Sequence, residues 1–182
     1  MILYHVGYDE IREPDNRHSR KNADFGQGFY MTSDTEFAGR WAQERRGSAV
    51  IRNTYELDTD GLVIRRFERD ADWFNYLYGN RIGQPELYPE ADVIMGPVAN
   101  DTIYDTLGII TSGFLEPGQA LRILQNGPVF TQVVLKTERA TAQLQWLSAE
   151  TLSAELIAEN RAVRGEEEKR FLEQAAALLD DM

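Results

Sequence analysis

The sequence predicts an α+β fold, and three observations carry that expectation. Short β-branched and aromatic segments alternate irregularly with segments of helical period. Turn signals such as Asp60-Gly61 predict hairpins between neighbouring strand segments. After Ser148 the chain becomes rich in Ala, Leu and Glu, with one glycine and no proline, which predicts a helical extension. The resulting division is a domain over residues 1–147 and a C-terminal helical extension over 148–182.

Each element follows from its own residues. MILYHV is apolar with one polar interruption and predicts a first strand, ended by Gly7. Residues 11–24 hold proline, asparagine and charges without periodicity, so they predict a loop. GFYMT, residues 28–32, predicts a short aromatic strand. Residues 33–46 predict a helix capped by Ser33 or Asp34, with Phe37, Ala38 and Trp41 on one face. Residues 49–58 and 62–67 predict two strands joined as a hairpin at Asp60-Gly61. Helix is predicted again over 70–81, then a buried strand over 91–98. Asn100 or Asp101 starts a predicted helix that stops near Gly113. Residues 116–127, with Pro117 near the start and Gly127 at the end, predict another helix. A β-branched strand over 128–137 is followed by a short helix that turns into an extended segment before 147. The terminal run predicts one long helix, or two broken near Gly165.

Composition narrows the chemistry. Apolar residues make up 42% and charged residues 27% of 182, ordinary for a globular chain with its own core. No apolar run reaches the roughly 18 residues of a membrane span, and MILYHVGYDE lacks the pattern of a signal peptide. Cysteine is absent, which removes disulfides, thiolate metal sites and thiol nucleophiles and suggests a reducing cytoplasm. The net charge of −11 argues against a partner gripped through its phosphate backbone. One local cluster, Arg12, Arg17, His18, Arg20 and Lys21, runs against that balance. It reads either as a solvated loop or as a contact for a small anion such as a pyrophosphate.

The glycines of DFGQGFY do not form a nucleotide loop. Gly26 and Gly28 lead into a strand rather than a helix, no lysine follows, and Met31 stands where a third glycine would be needed. Two histidines without paired spacing support no zinc site, and no metal is expected. There is no G-x-S-x-G elbow. What remains is His5 on the first strand, with Tyr30 and Trp41.

Together these residues resemble the ADP-ribosyltransferase superfamily, on the branch of diphtheria toxin and the poly(ADP-ribose) polymerases. The shared pattern is a histidine on a first strand, a glycine-aromatic segment ending in tyrosine, and a second aromatic eleven positions later. Here these are His5 in LYHVG, Tyr30 in FGQGFYMTSD, and Trp41. More closely the chain is similar to a bacterial domain family of that fold, through Ser19-Arg20, the DFGQGFY segment, Gly96 to Asp101, Gln132 and Thr137-Glu138. The similarity spans roughly residues 3 to 147.

The resemblance implies a split β-sheet core with surrounding helices, and NAD as the ADP-ribose donor. It implies that His5 orients NAD through a ribose, that Tyr30 and Trp41 clamp the nicotinamide, and that Gly7, Arg20, Gly28 and Phe29 belong to the same pocket. Two aromatic faces on a planar cation supply on the order of 2 kcal/mol when desolvated. The family's glutamate falls at Gln132. A unit charge pair about 4 Å apart is worth about 4 kcal/mol at an effective dielectric near 20, so losing that carboxylate costs roughly a thousandfold in rate. Gln132 still suits mono-ADP-ribosyl transfer and disfavours chain elongation. Asp101 is a candidate for the missing carboxylate, with helix capping as its other reading; Glu138 is a second candidate, with a short helix start as its other reading.

The expected function is therefore a cytoplasmic NAD-dependent mono-ADP-ribosyltransferase, a bacterial toxin of a toxin–antitoxin or defence pair. Its acceptor is expected to be a protein rather than nucleic acid; the terminal helix reads most commonly as packing against its own domain, with an antitoxin or dimer surface as the minority reading. A non-catalytic NAD-binding module and a nucleic-acid-modifying transferase of the same fold are the alternatives.

Overall fold

The structure, a computed structural model, describes residues 1–103 and 115–180. It is α+β, with two sheets and helices around them. The first sheet has the order β1-β3-β7, formed by Ile2–Gly7, Ile51–Leu57 and Leu144–Thr151, all antiparallel. The second has the order β2-β6-β5-β4, formed by Phe29–Met31, Thr131–Leu135, Val93–Pro97 and Ile64–Arg66. Only its β4–β5 pair is parallel. The sheets touch where Tyr4 and Thr32 exchange both backbone hydrogen bonds, at 2.8 and 3.0 Å.

Strand alternation sorts side chains into two cores. Leu3, Phe29, Tyr55, Val93, Val133 and Leu135 fill the space between the sheets. Ile94 and Val134, one residue out of phase, face the helices and join Phe25, Trp73, Leu77 and Leu124. The Trp73 indole N–H is satisfied by the Pro97 carbonyl at 2.9 Å.

Local cap chemistry sets the helix starts. Asp34 accepts from the Glu36 and Phe37 amides and begins α1, Thr35–Arg40. Asp70 does the same for α2, Ala71–Arg81. α3 is Asn100–Ile103, and the rest of the helix predicted to Gly113 lies outside the described residues. A capping box of Glu116 and Gln119 begins α4, Pro117–Leu124. Thr137 caps α5, Glu138–Ala142, which leads into β7.

Three sequence expectations change. α1 stops at Arg40 with Trp41 as its C-cap instead of running to Arg46, and the chain reverses at Gly47, φ +81°, where the Ser48 amide donates to the Arg45 carbonyl. Asp60-Gly61 turns the chain without making a hairpin: β1 and β7 occupy both edges of β3, so β4 crosses to the other sheet. The terminal segment is one helix, α6, Ala154–Asp180, unbroken at Gly165. β7 runs through position 147 into Thr151 before that helix begins.

α6 is part of the core. Phe171 and Ala175 sit in the helix-side cluster, and Ile157 packs with Ala42, Val50 and Leu152. Removing residues 148–182 would open that core. The closest approach is at Gly39, where a β-carbon would lie 2.7–2.9 Å from the Asn160 side-chain amide. Asn160 is held there by Arg40 at 2.7 Å and by the Leu156 carbonyl at 2.9 Å. Gly39→Ala is expected to destabilise by about 1–2 kcal/mol, read as a lower urea midpoint with an unchanged slope. An unchanged midpoint would mean that α1 and α6 are not closely packed.

Candidate functional site

A cleft of about 460 Å³ opens beside the Tyr4–Thr32 seam between the sheets. Its walls come from β1, β2, β6, the 19–24 loop, α1 and the ends of α2 and α3.

His5 enters from β1. Its Nδ1 donates to the Tyr30 carbonyl at 2.8 Å, which fixes the tautomer and leaves Nε2 as an acceptor when the ring is neutral. The ring stacks on Phe29 with centroids 4.8 Å apart. Desolvation lowers its pKa, and the Tyr30 carbonyl opposes that only in part, so the ring is neutral near pH 7. That suits hydrogen bonding to a ligand hydroxyl.

Tyr30 enters from β2. Its hydroxyl donates to the Gly26 carbonyl at 2.6 Å and accepts from the Phe25 amide at 3.0 Å. Burial, then the nearby Asp24 carboxylate, push its pKa up. The hydroxyl therefore braces the 24–28 turn, and the ring face is what the cleft wall offers. Trp41, 40% exposed, caps the end of α1 and meets Phe37 edge-on at 5.6 Å. Phe37 and Trp41 both line the cleft.

Arg20 and Ser19 reach the cleft on the long loop. The Ser19 hydroxyl accepts from the Gly28 amide at 2.8 Å, and Arg20 has no ion-pair partner among the described residues. Gln132, on β6, is buried in the wall, with its amide nitrogen 3.4 Å from the Pro97 carbonyl.

The floor holds a buried ionic cluster. Arg81 donates through Nε to Asp24 at 2.9 Å and through both terminal nitrogens to Asp101 at 2.7 and 2.9 Å. Thr102 accepts from Arg81 at 2.7 Å and donates to Asp24 at 2.9 Å. The side chains of Asp24, Arg81 and Asp101 are each no more than 6% exposed. Burial raises the pKa of Asp24, Arg81 opposes, and Asp101 adds to the rise.

Of the residues singled out from the sequence, His5, Arg20, Tyr30, Trp41 and Gln132 line this one cleft. Gly7, Gly28, Phe29 and Asp101 stand outside its wall. Gly28 and Phe29 pack against β6 and the sheet–sheet core, and Asp101 sits behind Arg81. Glu138 opens α5 and pairs with Arg17, away from the cleft wall. Asp24, Arg81 and Thr102 line the cleft without having been singled out. Asp24 opens the DFGQGFY segment itself, so its place beside the tyrosine was the available signal. Among the described residues no cluster of three His, Asp or Glu could hold a metal, and no helix is long and apolar enough to cross a membrane.

The family described as "Protein of unknown function (DUF3990)" matches residues 1–146. No curated protein matches the chain.

Proposed function

The chain belongs to the DUF3990 family, and we propose that this member is an NAD-dependent mono-ADP-ribosyltransferase on an ADP-ribosyltransferase-like core. The observation that supports this reading is the meeting of His5, Tyr30, Trp41 and Arg20, from four separate segments, on one cleft. With Gln132, these side chains suit the pyrophosphate, the two riboses and the nicotinamide ring of NAD. Arg20 offers a cation to the pyrophosphate. Neutral His5 offers Nε2 as an acceptor to a ribose hydroxyl. The Tyr30 and Trp41 faces receive the charged nicotinamide ring. Gln132 offers a hydrogen bond, without charge, to the second ribose.

In the transfer, the bond between nicotinamide and ribose breaks and its electron pair leaves with nicotinamide. A nucleophilic oxygen or nitrogen of the acceptor forms the new bond at the same carbon and releases its proton to solvent. His5 and Tyr30 hold and orient; neither is required to move a proton. The net charge of −11 favours a protein acceptor over nucleic acid. A toxin partnered by an antitoxin is the setting that the resemblance favours. Gln132 favours a second reading, in which NAD is bound and not cleaved.

Nicotinamide release from NAD, with and without cell lysate, tests the proposal. Wild-type protein is expected to release nicotinamide, and His5→Ala and Tyr30→Ala to lower release tenfold or more. NAD binding without release, even with lysate, transfers support to the binding-module reading. Absence of both binding and release overturns the proposal.

A further inference from the structure

α6 reaches the cleft through α1. α1 has six residues, too few for a helix to hold its own shape in water, so its place is set by what it packs on. Its two sides have different partners. Phe37, Ala38 and Trp41 line the cleft, while Gly39 and Arg40 meet α6. The Phe37 ring stacks on Phe130 with centroids 4.3 Å apart and meets Trp41 edge-on, which braces the cleft side. On the other side the Arg40 guanidinium lies between Asn160 and Glu167, two turns apart on one face of α6. It donates through Nη1 to Asn160 at 2.7 Å, and its Nε stands 3.5 Å from a Glu167 carboxylate oxygen. Both of those facing atoms are buried, and neither makes a hydrogen bond. A buried pair held by charge without a hydrogen bond adds little to stability. Its effect is on position: Trp41 follows Arg40 in the chain, and its amide closes the last turn on the Ala38 and Gly39 carbonyls. Asn160 and Glu167 lie beyond residue 146, where the match to the family ends.

We propose that Glu167 is a positioning residue for the cleft: acting through Arg40, its charge sets where α1 holds Trp41. The C-terminal helix thereby completes the binding site as well as the core. That Trp41 meets a nicotinamide ring rests on the transferase reading; the linkage from Glu167 through Arg40 to Trp41 does not. Glu167 touches no ligand in this role and moves no proton.

Two ligands separate positioning from general stability. ADP-ribose is NAD without its nicotinamide ring. Glu167→Ala is expected to weaken NAD binding about tenfold and ADP-ribose binding by less than about twofold, because only the ring needs a placed Trp41. Trp41→Ala is expected to give the same split, and the double variant no more than Trp41→Ala alone, since both changes remove one contact. Equal weakening of both ligands by Glu167→Ala overturns the assignment, as does an unchanged NAD affinity or a loss that adds in the double variant. If Glu167→Ala does not fold, Glu167→Gln, which keeps the size and loses the charge, decides by the same comparison. Acrylamide quenching of Trp41 fluorescence, isolated by difference from Trp41→Phe, needs no ligand. It is expected to rise about 1.5-fold in the Glu167 variant as the indole loses its fixed place, and no rise overturns the linkage. If wild-type protein does not bind NAD, or Trp41→Ala shows no split, the transferase reading is what fails, and quenching alone decides the linkage.

Discussion

Arg81→Met is expected to destabilise the protein by about 3–5 kcal/mol, because it leaves two buried carboxylates without their cation. The methionine fills similar space, so the loss measures charge rather than a cavity. Asp24 and Asp101 would then face each other and Thr102 with their side chains almost wholly buried. The pH dependence identifies the cause. Asp24 already has a raised pKa in the folded protein, so its contribution to stability is fully present below its unfolded pKa and is lost as pH rises through the folded one. Removing Arg81 raises the folded pKa of that carboxylate further. The deficit of the variant is therefore greatest near neutral pH and shrinks as pH falls toward about 4. Urea unfolding at pH 7.5 and pH 5 measures this directly. Asp101→Asn added to Arg81→Met is expected to restore part of the loss at pH 7.5. A deficit independent of pH would mean that packing, not ion pairing, is what Arg81 supplies.

That cluster also marks where the sequence stops being legible. The helix start at Asp34 could be read because a cap acts within three residues of itself, and the one after Glu116 because Pro117 favours a first turn. The α+β class could be read because strand and helix periods differ. The partner of a strand is another matter. Asp60-Gly61 turns the chain whether or not a hairpin follows, and only the occupied edges of β3 send β4 to the other sheet. The site divides in the same way. His5, Tyr30 and Trp41 stood out as a spaced pattern, and their side chains share a cleft. Arg81 reads locally as the basic last turn of a helix, and its two carboxylates lie 57 and 20 positions away. No local rule connects residues at such distances. The same limit applies to α6, whose apolar residues gave no sign of whether Phe171 faced its own domain or a partner.

Gly28→Ala is expected to cost about 3 kcal/mol, at the upper end of overpacking, although its backbone conformation suits any residue. A β-carbon there would lie 2.6 Å from the Leu135 carbonyl oxygen and 2.6 Å from a Val134 methyl. Neither can give way easily. Leu135 pairs with Phe29 on one side and with Val93 on the other, so β6 is fixed from both edges. The glycine of GFY is therefore required by the chain's own second sheet, not by a ligand approaching the backbone. Relief requires β2 to move off β6, which shifts Tyr30 relative to Gln132, because the two side chains are mounted on those strands. The variant should therefore lose both urea midpoint and ligand binding. Gly165→Ala gives the opposite sign: it sits within α6 with nothing within 4 Å of a β-carbon, and alanine there should stabilise by about 0.5–1 kcal/mol. If both variants shift the midpoint equally, helix and strand propensity govern these positions. Opposite shifts, with binding lost only in Gly28→Ala, tie the geometry of the cleft to the β2–β6 contact.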